Sequence, residues 1–479
     1  MPVSISTNST TPFPKRTEGD RVSWTNELAQ EISGKVLTDD GAREAVATDF
    51  GRVIVRRPQA VVCPASAEDV ARVVKFAARH SLSVATRGAG HSQAGQSLSD
   101  QIVLDMTSLD EIIDFRENSA TVQGGIKWGT LLNNAVSRRL SPPVLTNNLD
   151  VTVGGTLSMG GLGVSSWRYG TQADNCLSLE VVTGTGQIVQ CSETENRDLF
   201  DAARCGAGQF GVITEAALKL RRHAPRFRSF YLLYDNLAAL LDDLKIVMTD
   251  ERFDHLESWC VPCPQGFKKV GGQNTPFAQW FFPLHATVET EADESPEEAA
   301  EKLEGLKFYK HVHTENGKMG EFFTRLDNLF ALWKRGGFWD YAHPWMECVL
   351  PWQTTAPYIS QVLANLPPQA LVGGHILLWP ARGNASNSPL FMRPQSEFVM
   401  GFGILPAIPP QFLDEVLPRM NMASQAAIMM GGKRYLSGWI NFDHAAWKAH
   451  YGEKWPAVVA AKRKFDPQGI LNPGFIKFE

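Results

Sequence analysis

Three glycine-rich segments constrain what this chain can fold into more than any other feature of its sequence. They read RGAGHSQAG at 87–95, TVGGTLSMGGLG at 152–163 and GAGQFG at 206–211. Small residues let a ligand approach the backbone closely, and successive backbone amides in such turns bind phosphate oxygens. A single run of this kind serves a tight turn as readily as a ligand. Three runs in one region favour an extended ligand with a pyrophosphate group, held in a cleft.

The first segment does not match the dinucleotide-binding fingerprint. The pattern G-x-G-x-x-G beginning at Gly88 requires glycine at position 93, where the chain has Gln93. The residues that follow, QAGQSLSD at 93–100, are poor helix formers. The sequence therefore argues against a Rossmann domain and leaves a glycine-rich turn with a histidine, His91, near its centre.

Hydrophobic periodicity around these segments predicts a small α+β module. A strand at 60–62, a helix that begins at Ser66 and a strand at 82–86 form a β-α-β unit. Further strands are predicted at 102–106, 112–113, 121–122, 179–182, 187–189 and 212–214, and a second helix at 128–136. In the C-terminal half we expect helices at 237–247 and 296–306, strands at 279–282 and 375–378, and a long loop at 380–395.

Composition argues against several classes of protein. The 479 residues carry a net charge of −5 without a long basic run, so nucleic acid is not expected as a partner. The N-terminus lacks the apolar core of a signal peptide, and no apolar stretch reaches the about 18 residues of a membrane span. A cytoplasmic protein without a membrane partner is therefore expected.

Cysteine usage agrees with that location. Seven cysteines are present, and the one close pair is CVPC at 260–263. A C-x-x-C pair is either redox-active or half of a zinc site, but no second ligand pair is spaced for zinc. The prolines around it indicate a loop, and we expect two structural thiols and no metal.

Six motifs in order now carry a resemblance. In addition to RGAGHSQAGQ and TVGGTLSMGG they are WRYG at 167–170, EVVTGTGQIVQCS at 180–192, DLFDAARCGAGQFGVIT at 198–214 and FDPQGILNPG at 465–474. Together they resemble the FAD-linked oxidoreductases of the vanillyl-alcohol-oxidase, or PCMH, type. The segment GGFWDYAHPWMECVLP at 336–351 is similar to one in the cytokinin dehydrogenases of that family. The resemblance covers residues 55–223, 320–351 and 430–479.

The resemblance implies an α+β fold of two domains. Residues 1–223, joined by 430–479 from the C-terminus, are expected to form the PCMH-type FAD-binding domain. Residues 224–429 are expected to form an α/β substrate-binding domain, an antiparallel sheet covered by helices.

The resemblance also gives the histidine of the first segment a role. In this family the histidine of RGxGHS is joined to the 8α-methyl group of FAD, so His91 is the implied attachment point. Some relatives add a cysteinyl link just before the second glycine-rich segment. Residues 145–151 contain no cysteine, so a single covalent bond is expected. The other residues implied to surround the cofactor are Arg87, Gly88, Ala89, Gly90, Ser92, Gln96, Thr152, Ser158, Leu162, Val212, Tyr435 and Asn472.

The substrate-facing positions depart from the cytokinin dehydrogenases. Asn147 stands where those enzymes carry the aspartate proposed to take a proton from the substrate amine, and an amide cannot do this at neutral pH. Glu347 replaces a neutral amide in the segment HPWME at 343–347. The family's acidic partner falls near Gln279, where the chain has no carboxylate, and an acidic contact to adenine falls at Leu329.

Several groups could therefore take the proton. Asp150, three residues after Asn147, and Glu347 are the first candidates, and His343 and Tyr435 are weaker ones. A reaction without a strong base is a further alternative. The aromatic residues Trp339, Trp345, Phe338 and Tyr341 suggest a wall for a planar substrate.

The expected protein is a covalent FAD oxidoreductase. It would take hydride onto flavin N5 from a C–H bond next to nitrogen or oxygen of a small molecule, and pass electrons to oxygen or a quinone. One alternative is a true cytokinin dehydrogenase that cleaves the side chain of N6-isopentenyladenine. Another is a flavin-binding protein without turnover.

Overall fold

A computed structural model describes residues 18–292, 300–371 and 373–479. Its helices are α1 Glu18–Glu31, α2 Asp40–Ala45, α3 Ala67–His80, α4 Trp128–Val136, α5 Val153–Leu157, α6 Ser166–Tyr169, α7 Arg197–Ala203, α8 Leu237–Asp250, α9 Met319–Phe323, α10 Asp327–Arg335, α11 Trp352–Asn365, α12 Leu413–Met429, α13 His444–Tyr451 and α14 Trp455–Phe465. Among the described residues, no helix is long and apolar enough to cross a membrane.

A small mixed sheet holds the first glycine-rich segment. Its strands, in the order β1-β2-β4-β3, are β1 Lys35–Leu37, β2 Ala60–Cys63, β3 Val84–Arg87 and β4 Ile102–Asp105. Strands β2 and β3 each pair with β4 in parallel, and α3 begins at the N-cap Ser66 as predicted. The C-terminal segment extends the sheet, because the amide of Asn472 donates to the carbonyl of Val84 at 2.8 Å. The end of the chain therefore lies beside the first segment.

An antiparallel sheet of five strands holds the other two segments. Its strands, in the order β5-β6-β10-β8-β9, are β5 Ile112–Phe115, β6 Ser119–Gln123, β8 Cys176–Val182, β9 Ile188–Ser192 and β10 Val212–Lys219. The two predicted hairpins are β5–β6 and β8–β9. A two-stranded ribbon joins β7 Leu140–Ser141 to β11 Arg221–Arg222.

The C-terminal half forms an eight-stranded antiparallel sheet, in the order β15-β12-β14-β13-β17-β18-β16-β19. Its strands are β12 Arg226–Tyr234, β13 His255–Val270, β14 Gln273–Thr290, β15 Lys310–Lys318, β16 Met346–Pro351, β17 His375–Arg382, β18 Phe398–Leu405 and β19 Lys433–Arg434. Helices α8, α11 and α12 pack their apolar sides on one face, where Leu244, Ile359 and Met420 are buried. This confirms the predicted antiparallel sheet covered by helices, and leaves the other face to line a cavity.

Two local predictions differ from the structure. The segment CVPC lies within β13 and not in a loop, because the edges of that long hairpin tolerate proline. Cys260 is buried and Cys263 is exposed, which is expected for positions three residues apart on a strand. The predicted helix at 296–306 begins outside the described residues, and 302–305 form turns.

Candidate active site

A cavity of about 670 Å³ is lined by residues of both large sheets and of the C-terminal segment. All three glycine-rich segments contribute to its wall, together with β13, β14, β16, β17 and the residues 325–333. Most of the residues predicted from the sequence meet here: Gly88, Ala89, Gly90, His91, Ser92, Gln96, Asn147, Thr152, Ser158, Leu162, Val212, Trp345, Glu347, Tyr435 and Asn472.

Of the predicted aromatic wall only Trp345 lines the cavity, and six predicted residues do not line it: Arg87, Asp150, Phe338, Trp339, Tyr341 and His343. Arg87 points behind the first segment, where its Nη1 donates to the carbonyl of Thr48 at 3.0 Å. Asp150 is exposed, and its carboxylate oxygens lie 3.5 Å from the Nζ atoms of Lys127 and Lys334. Arg87 therefore supports the turn from behind, and Asp150 faces solvent.

The glycine-rich segments pack so closely that larger residues would not fit. A Cβ on Gly88 would lie 2.0 Å from Oγ1 of Thr152. The first and second segments therefore touch at this point. A Cβ on Gly208 would lie 2.2 Å from Nδ2 of Asn472, and Gly208 has a φ of +67°. The glycines thus bring the three segments and the C-terminus to one wall of the cavity.

Unpaired polar atoms in this wall indicate a polar ligand. Oγ1 of Thr86 and Oε1 of Gln93 are buried and find no hydrogen-bond partner among the described residues. Both residues line the cavity. Buried polar atoms are nearly always satisfied, so a ligand with donors and acceptors is expected here. The wall fits FAD, whose pyrophosphate and ring system carry such groups.

His91 is held in an aromatic stack. Its ring lies 4.1 Å from that of Phe50, whose other face stacks on His343 at 4.1 Å. The ring of Trp345 lies nearly perpendicular to that of His91 at 5.7 Å, and the ring of Trp339 lies 6.1 Å away. Burial lowers the pKa of His91 to about 3, so the imidazole is neutral and one ring nitrogen keeps a free lone pair.

Glu347 is the buried carboxyl group of the cavity. Oγ of Ser437 donates to its Oε2 at 2.7 Å, and burial raises its pKa to about 7. The neighbouring Tyr435 accepts a hydrogen bond from the amide of Gly161 at 3.1 Å. The carboxyl group of Glu347, which can gain or lose a proton near neutral pH, therefore lies close to Tyr435, the residue that joins the C-terminal segment to the second glycine-rich segment.

A second polar group in the wall joins Asn147, Glu257 and Arg325. Nδ2 of Asn147 donates to Oε1 of Glu257 at 2.7 Å. Nη2 of Arg325 donates to Oε2 of Glu257 at 2.9 Å and to Oδ1 of Asn147 at 3.1 Å. Position 147, where the resemblance led us to expect a proton acceptor, thus has the amide of Asn147, which is hydrogen-bonded to the ion pair of Glu257 and Arg325.

Rings cover the remaining wall of the cavity. The lining includes Tyr231, Trp259, His285, Phe330, Trp333, Trp345, His375 and Trp379. Burial lowers the pKa values of His285 and His375 to about 4, so both rings are neutral at pH 7. Flat, uncharged walls suit a planar substrate.

Sequence reasoning missed Glu257, Arg325, His285 and His375. Glu257 is buried like its neighbours Leu256 and Ser258, so no alternation of buried and exposed positions marked it, and the prolines at 262 and 264 indicated a loop nearby. Arg325 had no local signal, because it reaches Glu257 only through the tertiary fold.

Comparisons with known proteins agree with this site. Residues 58–192 match a family model described as an FAD binding domain, and 278–478 match one described as cytokinin dehydrogenase 1, FAD and cytokinin binding. An uncharacterized oxidoreductase, ORF5 in the fasciation locus of Rhodococcoides fascians, is 32% identical over 446 residues, which cover 93% of this chain and 99% of that protein.

Two further proteins are similar over nearly the whole chain. Cytokinin dehydrogenase 6 of Oryza sativa subsp. japonica is 30% identical over 496 residues, 93% of this chain and 92% of that protein. The crystal structure of 6-hydroxy-D-nicotine oxidase from Arthrobacter nicotinovorans matches the fold with a TM-score of 0.69 at 22% identity, covering 92% of this chain and 96% of that one.

Proposed function

The chain belongs to the FAD-dependent oxidoreductases of the PCMH type that include the cytokinin dehydrogenases, and we propose that it oxidises a small planar molecule at a C–H bond next to nitrogen or oxygen. One observation carries the proposal: the glycine-rich wall and the aromatic wall with Glu347 enclose a single cavity. Bound FAD supplies a hydride acceptor at flavin N5. Family membership makes the chain an enzyme and argues against a flavin carrier without turnover.

The three glycine-rich segments, Tyr435 and Asn472 are the residues that would hold FAD. The unpaired atoms of Thr86 and Gln93 add hydrogen-bonding groups to them. We place a single covalent link at His91, because a neutral imidazole is nucleophilic and this ring opens into the cavity. Residues 145–151 offer no cysteine for a second link.

The division into two domains is part of the proposal. One apolar core contains Trp128, Phe210 and Trp447 from the segments 1–223 and 430–479, and a few residues of 224–429, such as Phe322, also pack into it. Another contains Tyr234, Leu284 and most buried residues of 224–429. These two cores support an FAD-binding unit that the C-terminal segment completes, and a substrate-binding unit that packs against it.

Glu347 is the residue that we propose to accept the substrate proton. A general base is most effective when its pKa lies near the working pH, and burial raises the pKa of Glu347 to about 7. Asp150 lies outside the cavity and pairs with two lysines, so its position does not support the same role. Asn147 and Trp345 would orient the substrate, and oxygen or a quinone would accept the electrons.

A true cytokinin dehydrogenase is the second candidate. It is favoured by the match of 278–478 to the FAD and cytokinin binding family model, and by Glu257, a carboxylate next to Asn147 in the cavity wall. Anaerobic mixing with N6-isopentenyladenine separates the candidates. Loss of the flavin absorption band supports the second, whereas a band that only another amine or alcohol bleaches supports a different substrate.

The covalent link has its own test. The purified protein is precipitated with acid, and the flavin absorption of the pellet is compared with that of the supernatant. We expect colour in the pellet for the unmodified protein and in the supernatant for His91→Ala. A coloured pellet from His91→Ala would place the link elsewhere.

A further inference from the structure

The hydrogen bonds of Asn147, Glu257 and Arg325 close into a ring. Glu257 accepts from both other residues, and Arg325 also donates to the amide oxygen of Asn147. The Glu257 side chain is 3% exposed and that of Arg325 is 24% exposed. The ion pair therefore belongs to the cavity wall, and it fixes which end of the Asn147 amide faces each partner.

The charges of this ring cancel, and its neighbours in the cavity lining, His285, His375 and Tyr231, are uncharged, while the carboxylate of Glu315 lies outside the lining and accepts the Tyr231 hydroxyl. His285 is the cross-strand partner of Glu257, and His375 also lies within electrostatic range of that carboxylate. Burial keeps both histidines neutral at pH 7, and it raises the pKa of the nearby Tyr231, which stays protonated. A charged ligand would meet a carboxylate or a guanidinium that already has its counter-ion. A buried ion without a free partner is strongly disfavoured.

The ring nevertheless keeps hydrogen-bonding capacity. A carboxylate has about four lone-pair sites, and Glu257 uses one on each oxygen for its partners in the ring. A guanidinium has about five N–H groups, and those of Arg325 reach Glu257, Asn147 and the carbonyl of Phe322. An acceptor and a donor thus remain side by side in the wall.

We propose that Glu257, Arg325 and Asn147 select an uncharged planar substrate that carries a hydrogen-bond donor next to an acceptor along one edge, as in an amide, a lactam or a nitrogen heterocycle. Arg325 is the specificity-determining residue, since it neutralises Glu257 and supplies the donor. The inference rests on the proposed function, because it concerns the substrate part of the same cavity. It assigns a substrate class and leaves the chemistry of oxidation unchanged.

Three probes of one shape test the selection at pH 7: benzamide is neutral with a donor beside an acceptor, benzamidine is a cation with donors, and benzoate is an anion with acceptors. Their dissociation constants are measured by quenching of tryptophan fluorescence, for which Trp259 lies in the cavity wall. We expect the unmodified protein to bind benzamide about tenfold more tightly than either ion, a difference of about 1.4 kcal/mol. Equal or weaker binding of benzamide, including undetectable binding, overturns the proposal.

Two variants should exchange the preference. Arg325→Met leaves the carboxylate of Glu257 without its counter-ion, so benzamidine should become the tightest probe. Glu257→Gln keeps the size of the side chain and leaves the guanidinium, so benzoate should become the tightest. An unchanged order of affinities in folded Glu257→Gln contradicts the proposal even where Arg325→Met does not fold. Arg335→Met is the matched control, because Arg335 is an exposed arginine at the end of α10, outside the cavity lining.

The readout keeps this inference separate from the proposed function. Fluorescence titration requires neither turnover nor bound flavin, whereas the flavin content after acid precipitation reports on His91 alone. An exchanged probe preference in a protein without covalent flavin would support the substrate class and remove the covalent link. The reverse result would retain the link and remove the substrate class.

Discussion

Phe50 stacks on His91 with a centroid separation of 4.1 Å and an angle of 28° between the rings. The amide of Phe50 also donates to the carbonyl of Gly90 at 2.8 Å, so the backbone and the ring hold the same turn. On its other side Phe50 lies parallel to His343, at an angle of 4°. The proposed attachment residue is thus oriented by a residue from outside the glycine-rich segments.

Phe50→Leu should lower the fraction of covalently bound flavin. Leucine keeps most of the volume, so we expect a loss of only about 1 kcal/mol in the free energy of unfolding. It cannot form the flat stack, and the imidazole of His91 would then reach its attacking orientation less often. The acid-precipitated flavin is measured as a function of time after FAD is added to apoprotein. Phe398→Leu, at the contact with Trp352, is the control, and equal rates in both variants would refute a positioning role for Phe50.

Glu347→Gln should change how stability depends on pH. Burial raises the pKa of Glu347 from 4.5 to about 7, so between these values the folded protein binds a proton that the unfolded chain has lost. The free energy of unfolding therefore falls as the pH rises through this window, by about 3 kcal/mol in total. Glutamine removes this dependence. Urea unfolding at pH 5 and pH 8 should show Glu347→Gln gaining stability relative to the unmodified protein at the higher pH.

The same substitution should slow flavin reduction by the substrate. Removal of a general base costs about 10²–10⁴-fold in rate, and the rise of the rate with an apparent pKa about 7 should disappear. Asp150→Asn should leave the rate unchanged, because Asp150 pairs with Lys127 and Lys334 at the surface. Anaerobic stopped-flow absorbance measures both. A large loss in Asp150→Asn with full activity in Glu347→Gln would reverse the assignment.

Local patterns predicted most of the fold, because a strand or helix leaves its period in the sequence. The stripe at Val70, Val73 and Val74 gave α3, and the hairpin β8–β9 followed from its turn. The glycine-rich segments also located the cofactor wall, since close packing of backbones requires glycine whatever the rest of the chain does.

Local sequence patterns could not predict which residues form the substrate wall. Arg325 and Glu257 are 68 positions apart and meet only when β13 and the residues before α10 come together. Asp150 shows the opposite limitation: it is close to Asn147 in sequence, but the turn directs its side chain to solvent while Asn147 points into the cavity. Sequence proximity in a loop does not determine which side chains share a surface.

Asn147→Asp should create a pair of carboxyl groups that titrates. Nδ2 of Asn147 lies 2.7 Å from Oε1 of Glu257, so aspartate would replace a hydrogen bond with repulsion between like charges. One of the two carboxyls should then keep its proton to a higher pH than in the unfolded chain, despite the partial compensation by Arg325. A pKa raised in the folded state means that stability is lost as the pH rises through it. We expect a loss of about 1–3 kcal/mol in the free energy of unfolding at pH 8 and a smaller loss at pH 5.

Asn148→Asp is the control, because Oδ1 of Asn148 accepts from the amide of Asp150 and aspartate keeps that acceptor. Equal losses at both pH values would mean that the wall does not hold Glu257 and residue 147 in contact.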